Sequence, residues 1–384
     1  MAHLHAMLPI VRAATDAGHE VAVATAETFG QKFVDAGIPF LPSGVDWSQS
    51  DRDSLPSYHH RRGPRIGAFA EVAATDMVDD LLVHAKGFRP DLIVWDAMEF
   101  GGWVAAELLG VPHAAAASAM GTPRTVLNAM AGHELADLAS KYGLDPDPEL
   151  RRMFGNLYLH RKPRILDLPY GEPLASEFRF RPAMFDEPAP ARPTWLEPDD
   201  GRPLVHVSLG TTFVDSPAAH TVHSTVIEAF AGEPVRAIVS IGSKAKAGDY
   251  PAIPPNVRLV SYVDHRALLP HCQAFLGHGS FSSTLVAIAC GLPMCYLPMG
   301  EDQPVVSMHL ANLGLGVNLA NVHRPPAPSL DPDALLATDV RTAVRTVLDG
   351  SDYTAAVGYV RDEFRKLPPV SAVVRRLEQL AEES

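Results

Sequence analysis

Cysteine is scarce. There are three in 384 residues, at positions 272, 290 and 295, and no two of them form a CxxC pair. An odd number in apolar strand or helix contexts excludes a disulfide framework and predicts buried free thiols in a reducing compartment. No apolar run reaches the roughly 18 residues of a membrane span, and nothing resembles a signal peptide, so the expected location is the cytoplasm. Basic charge is also short: the net charge of −13 excludes a general nucleic-acid binder, which carries a basic stripe. Arg61-Arg62, Arg161-Lys162 and Arg375-Arg376 are brief, scattered pairs that read as solvated surface. No repeat and no low-complexity tract is present. What remains, 47% hydrophobic and 20% charged residues over 384 positions, is an ordinary globular composition with room for two or three domains.

The pattern along the chain alternates between helix and strand. Leu4–Ala17 has helical periodicity and ends at Gly18, and Glu20–Thr25 is a strand. Helix Glu27–Ala36 and strand Pro39–Leu41 follow. The alternation begins with a helix, so the strand that should precede Leu4 is missing. A parallel sheet without it leaves backbone groups unpaired. The expectation is a start set too late, ahead of truncation or a degenerate protein. Pro42–Arg65 reads as a surface loop and Ile66–Lys86 as an amphipathic helix. Asp91–Trp95 is a buried parallel strand with Asp96 at its carboxyl end. Helix Phe100–Leu109, strand His113–Ala117, helix Thr122–Tyr142, a helical Pro146–His160 and strand Arg164–Leu168 complete the first half. Asp186–Pro203 has five prolines in eighteen residues and reads as a semi-rigid linker. A second α/β series then begins at Leu204 and ends in helices over Asp333–Leu348 and Tyr353–Leu380. The predicted fold class is α/β with two Rossmann-like doubly wound domains, 1–190 and 204–384, joined by a linker at 191–203. The last helix is expected to return to the first domain, and the carboxyl edges of both sheets are expected to face a cleft.

Cys272–Leu319 carries the strongest signal. His278-Gly279-Ser280-Phe281-Ser282-Ser283 is a small-residue turn between a short apolar strand and a helix expected over Thr284–Cys290. Such a turn leaves N–H groups aligned with the positive end of the helix dipole, which makes an anion site. Gly300-Glu301-Asp302-Gln303 is a second polar turn before another helix, at the same sheet edge.

With these residues in place, the chain resembles the inverting, two-Rossmann-domain (GT-B) nucleotide-sugar glycosyltransferases, and most of all the bacterial enzymes that glycosylate antibiotics and other natural products. VHVSLGT, VSYVDHRALLPHC, HGSFSST, GLPMCYLP and EDQP fall in the family's order and spacing. The resemblance implies phosphate contacts from Ser208 and Thr211, a nucleotide pocket lined by Gly242, and a nucleobase flanked by Tyr262 and Val263. It implies a diphosphate held by His278, Gly279, Ser280, Ser282 and Ser283, and donor-sugar hydroxyls bound by Asp302 and Gln303. A carboxylate beside an amide suits vicinal hydroxyls independently.

The family's base is a His in a Gly-His turn, oriented by an Asp. His3 matches it, with Ala2 where the glycine stands, and Asp96 matches the Asp. His5 is read as a donor-side or surface residue. A His held by a carboxylate can take the proton of an acceptor hydroxyl, whose oxygen then displaces the nucleoside diphosphate with inversion. The helix N-terminus and His278 meet the leaving charge, so neither metal nor cofactor is required in principle.

Further positions depart from the pattern. The second glycine of the family's HGG is Ser280. A ribose-binding Glu is Val286, which favours a thymidine-diphosphate (TDP) deoxysugar over a uridine nucleotide. Pro-Gln is replaced by Asp264-His265. The expected partners are this donor and a small hydrophobic aglycone, for which Phe69, Met77, Trp103, Met120 and Met130 are lining candidates; a homodimer stays open. The rival readings are an epimerase or phosphorylase on the same fold, and a non-catalytic binding homologue.

Overall fold

The computed structural model describes residues 2–46, 69–250, 252–321 and 329–383. Expectations for 47–68, including most of the predicted surface loop and the start of the following helix, lie outside these residues. The chain forms two compact units, one built from Met1–Ala183 with Lys366–Ser384 and the other from Met184–Arg365.

The first unit opens with helix α1 (Ala2–Asp16), which places His3 inside its first turn and not in a preceding loop. Pro9 lies within α1 and can donate nothing to the residue 5 carbonyl, so tertiary contacts must hold the first turn. Strand β1 (Val23–Thr25), helix α2 (Gly30–Asp35) and strand β2 (Phe40–Pro42) follow. Helix α3 (Ala74–Phe88) grows out of a π-helical turn at Phe69–Ala73. Strand β3 (Ile93–Asp96), helix α4 (Gly101–Leu109), strand β4 (His113–Ala117) and helix α5 (Arg124–Lys141) match the predicted alternation.

Two expectations fail beyond that point. Pro146–His160 is not helical. The Asp147 carboxylate accepts from the amides of Arg151, Arg152 and Met153 and closes a turn there. Leu157–His160 is a fully buried strand, β5, paired in parallel with β4. A four-residue apolar run carries too little periodicity to tell the two apart. Arg164–Leu168 is not a strand either: Pro163 leads into a 3₁₀ turn over Arg164–Leu166. The fourth strand is β6 (Glu177–Arg179), which has no apolar pattern to announce it.

Among the described residues β1 pairs with β2 alone and β3 with β4 alone, so the first unit holds a two-stranded and a four-stranded parallel sheet. Trp103, Phe100, Leu127 and Leu135 form the core on one side of the larger sheet. Ile10 of α1 packs with Ala114, Leu159 and Val373 on the other, where Val373 belongs to the C-terminal helix α12 (Ser371–Glu383). The four alanines of β4 leave room for this close two-sided packing.

The second unit is one six-stranded parallel sheet. Its strands are β7 (Leu204–Ser208), β8 (Arg236–Ser240), β9 (Val257–Val260), β10 (Ala274–Gly277), β11 (Met294–Tyr296) and β12 (Gly316–Asn318). Their spatial order is β12-β11-β10-β7-β8-β9. Helices α6 (Pro217–Ala229), α7 (His265–Leu268), α8 (Phe281–Cys290), α9 (Gln303–Asn312), α10 (Ala337–Asp349) and α11 (Ser351–Lys366) complete the alternation. The strand order reverses between β7 and β10, and ligands of doubly wound sheets bind outside the carboxyl ends of the strands at such a switch point. The three thiols are free, and burial pushes Cys272 up to about 12 and Cys290 up to about 11. Cys272 and Cys295 are buried, whereas Cys290 is only half-buried.

Candidate active site

The His278–Ser283 turn singled out in the sequence meets the Ser208–Thr211 turn at the switch point. Ser208 ends β7 directly beside Gly277, the last residue of β10. Gly210 and His278 therefore lie against each other, and a Cβ on Gly210 would strike His278 Nε2. Gly210 is held at φ +73°, and the Ser208 hydroxyl accepts from its amide at 3.3 Å. Gly279 is required twice over: its φ is +87°, and a side chain there would collide with the Ser307 hydroxyl.

Helix α8 begins at Phe281, three residues earlier than the sequence suggests, so Ser282 and Ser283 sit in its first turn. Their amides are among the four that a helix leaves without an internal partner. Ser280, the departure from the family's glycine, adopts φ −63° and ψ 139°. That is ordinary backbone for an L-residue, so the serine fits without strain. Its hydroxyl donates to Ser283 Oγ at 3.2 Å.

His278 is buried, and its Nδ1 lies 3.3 Å from the Ser208 carbonyl. A carbonyl only accepts, so Nδ1 carries the proton and Nε2 presents a lone pair to the Gly210 turn. Burial, with the neighbouring His265 assisting, lowers the imidazole to about 4 against the pull of the Ser208 bond. The replacement Asp264-His265 has a structural account. The Asp264 carboxylate caps α7 by accepting from the Arg266 amide at 2.8 Å. His265 stands edge-on to His206 and Phe275, with ring centroids 5.1 and 5.3 Å away.

Around this centre, Thr211 is exposed and Tyr262 presents 70% of its surface. Val263 is buried. Gly242, at φ +84°, lets the turn after β8 approach Asp215 so closely that a Cβ would lie 2.8 Å from its Oδ1. Asp302 is the exposed residue preceding α9. The Gln303 side chain is buried and committed through Oε1, which accepts from Met299 N at 2.8 Å and Gly300 N at 3.3 Å. Its amide NH₂ is what remains for a ligand. Val286 is buried in α8 and offers no polar atom.

In the first unit the structure brings His3 and Asp96 together, with Nδ1 3.1 Å from Oδ1. The Ser118 hydroxyl lies 2.8 Å from the same Nδ1. The carboxylate can only accept, so Nδ1–H faces it and the basic lone pair is on Nε2. Burial raises the Asp96 carboxyl. The His3 hydrogen bond and charge, the Ser118 hydroxyl and the Met98 amide outweigh it and hold the group below the usual carboxylate range. Glu99, three residues on, accepts from the amides of Gly101 and Gly102 at the start of α4, both at 3.0 Å. Burial and the nearby Asp96 charge push it up to about 7. His5 lies on the exposed part of α1.

Sequence reading missed Ser118, whose only signal was its place one residue past β4. It misassigned Arg161-Lys162, which is not a solvated pair: both side chains are buried at the end of β5. Among the expected aglycone-lining residues, Trp103 and Met120 are fully buried core and Met77 is buried against Gly44 and Gly101.

A split domain, two turns meeting at a switch point of the second unit and a His–Asp pair in the first can be set against known proteins. Residues 46–149 match the N-terminal domain, and 225–380 the C-terminal domain, of the erythromycin biosynthesis protein CIII-like family, together about two thirds of the chain. The chain belongs to this family of bacterial natural-product glycosyltransferases. Among curated relatives, the aklavinone 7-beta-L-rhodosaminyltransferase of Streptomyces galilaeus is 28% identical over 99% of this chain and 93% of its own length. The 10-deoxymethynolide desosaminyltransferase of Streptomyces venezuelae is 26% identical over 99% and 94%. Among solved structures, the glycosyltransferase VinC in complex with dTDP superposes with a TM-score of 0.79 at 25% identity, covering 100% of this chain and 97% of that one. The two-domain GT-B fold of these enzymes is the fold of this chain. No described helix is long and apolar enough to cross a membrane.

Proposed function

We propose that this glycosyltransferase moves a deoxysugar from TDP to a hydroxyl of a hydrophobic natural product, with inversion at the anomeric carbon. The observation that carries the reading is the meeting of the Gly210 and His278–Ser280 turns at the switch point of the second unit. Amides at the start of α8 offer an anion the positive end of a helix. Tyr262 supplies an exposed ring for the base, and Val286, which cannot bond a ribose hydroxyl, suits a deoxyribose. Asp302 and the Gln303 amide take the sugar. In the first unit, His3 Nε2 removes the acceptor's hydroxyl proton while Asp96 stabilises the imidazolium that forms. The acceptor oxygen bonds to the anomeric carbon as the carbon–oxygen bond to the diphosphate breaks and its electron pair leaves with TDP.

Calorimetry tests the donor reading. TDP is expected to bind at least tenfold more tightly than uridine diphosphate; tight uridine diphosphate and no TDP binding would reject it. The donor's diphosphate only accepts hydrogen bonds, and His278 Nε2 presents a lone pair to it. Binding of a TDP-sugar near pH 7 therefore takes up about one proton, seen as a binding heat that varies with the buffer's ionisation enthalpy. His278→Ala abolishes the uptake and weakens the donor; an unaltered affinity counts against the diphosphate role.

A further inference from the structure

The loop that leaves β7, residues 210–215, touches the turns after β8, β10 and β11, and each contact falls on a glycine. Gly210 lies against the His278 ring. Val214 and Asp215 crowd Gly242, where a Cβ would stand 3.0 Å from a Val214 methyl and 2.8 Å from Asp215 Oδ1. Phe213, between them in sequence, reaches Gly300. A Cβ on Gly300 would stand 3.0 Å from the ring's Cζ and 3.5 Å from its Cε1. Both sides of this last contact are pinned. The Phe213 carbonyl accepts from the Ser216 amide at 2.8 Å, and the Ser216 hydroxyl caps α6 by accepting from the Ala219 amide at 3.2 Å. Gln303 Oε1 closes the 300–303 turn through the Met299 and Gly300 amides. Glu301 in that turn takes φ +56°, a left-handed conformation that residues with side chains rarely adopt. The Phe213 ring is only half-buried, so it keeps apolar surface open on the turn that carries the exposed Asp302.

We propose that Phe213 is a specificity-determining residue of the sugar subsite: its ring takes a deoxygenated carbon or methyl group of the donor's sugar while Asp302 and Gln303 hold hydroxyls. This rests on the reading of the 300–303 turn as the place where the sugar binds. The chemistry follows from what each group can offer. A carboxylate accepts from a hydroxyl and an amide NH₂ donates to one, whereas a phenyl ring can bond neither way. A sugar hydroxyl pressed against the ring gives up its water and gains no partner, which weakens binding about tenfold. A C–H or methyl group in the same place gains by leaving water, and the ring face suits it. Val286 bears on the nucleoside alone. Phe213 bears on the sugar, and it favours one that is polar on one edge and bare of oxygen on another.

The test is calorimetry of the full chain with TDP, TDP-glucose and the monodeoxy analogues of TDP-glucose. In the parent, at least one analogue binds about tenfold more tightly than TDP-glucose. Phe213→Ala removes that preference while TDP itself binds as in the parent. Phe213→Gln, whose amide can bond a hydroxyl, removes it too, and the apolar Phe213→Leu keeps it. The ratio of affinities is the readout, because a ring that merely props the turn would weaken every TDP-sugar alike and leave the ratio in place. A parent with no preference for any analogue, or a preference that survives Phe213→Ala, overturns the proposal. Should Phe213→Ala fail to fold, Phe213→Gln decides in its stead. The subsite reading is tested apart, by Asp302→Ala, which weakens every TDP-sugar and spares TDP. Parental affinity for all of them in Asp302→Ala rejects the subsite and the proposal with it, whereas a preference unmoved by Phe213 variants alone rejects only the role of the ring.

Discussion

His3→Ala is expected to lower kcat by about a hundredfold or more while TDP still binds, because general-base assistance of a hydroxyl contributes on that scale. The prediction follows from one tautomer. Asp96 faces Nδ1 at 3.1 Å, which fixes the proton there and leaves Nε2 as the base. Asp96→Asn is expected to lose a comparable factor for a different reason. An amide NH₂ can donate to Nδ1, which drives the proton onto Nε2, where no base is then left. Both variants keep the second unit and its anion turns intact, so steady-state turnover falls while calorimetry with TDP reads as in the parent. Turnover at the parent rate in His3→Ala rejects the assignment.

The second large effect is acid unfolding of the second unit. His206, His223 and His278 are buried there, at 0%, 0% and 6% exposure. Burial is the first cause in each case, and it lowers them to about 3, 4 and 4. Their proton affinity is thus lower in the folded than in the unfolded chain, where a histidine titrates near 6.5. Such a group contributes its full stability above about pH 6.5. That contribution is lost as pH falls, because the unfolded chain then binds protons that the folded one refuses. Between pH 7 and 5 each costs about 2 kcal/mol, or about 6 kcal/mol together, against the roughly 5–15 kcal/mol that hold a domain folded. The second unit is therefore expected to unfold cooperatively near pH 5. Near-ultraviolet circular dichroism, or hydrogen exchange resolved over Met184–Arg365, would follow it. In the first unit His160, lowered to about 3, pushes the same way. Glu99, raised to about 7, opposes it, since its stability is complete at low pH and lost as pH rises from about 4.5 to 7. Unchanged stability of the second unit from pH 7 to 5 would contradict the buried neutral histidines.

The second unit was largely legible in the sequence because β7, β8, β10 and β11 are mostly buried, largely apolar runs with glycine or proline close by. Its two key turns announce themselves by composition: Gly279 cannot be another residue, and the serines beside it are small and polar. The expected start of α8 was late by one turn because Phe281-Ser282-Ser283 looks like loop by propensity, whereas the helix begins at Phe281. The first unit was harder. His3 and Asp96 are 93 positions apart, and nothing in spacing pairs them; only resemblance did. Leu157–His160 and Glu177–Arg179 become strands through their parallel neighbours and not through any period of their own. Arg161 and Lys162 looked like surface because paired basic residues usually are. Their burial depends on Asp167 and the Ser118 carbonyl, which the fold alone brings to one sheet edge.

The most direct single measurement is product formation. The protein is incubated with TDP-deoxysugars and a panel of hydrophobic polyketide-like alcohols, and products are detected by mass. The account predicts one or more alcohols gaining the mass of a deoxysugar less water, with an equal amount of TDP released and the anomeric configuration inverted. Tight TDP-sugar binding with no glycoside from any pairing, or transfer with retained configuration, would contradict it.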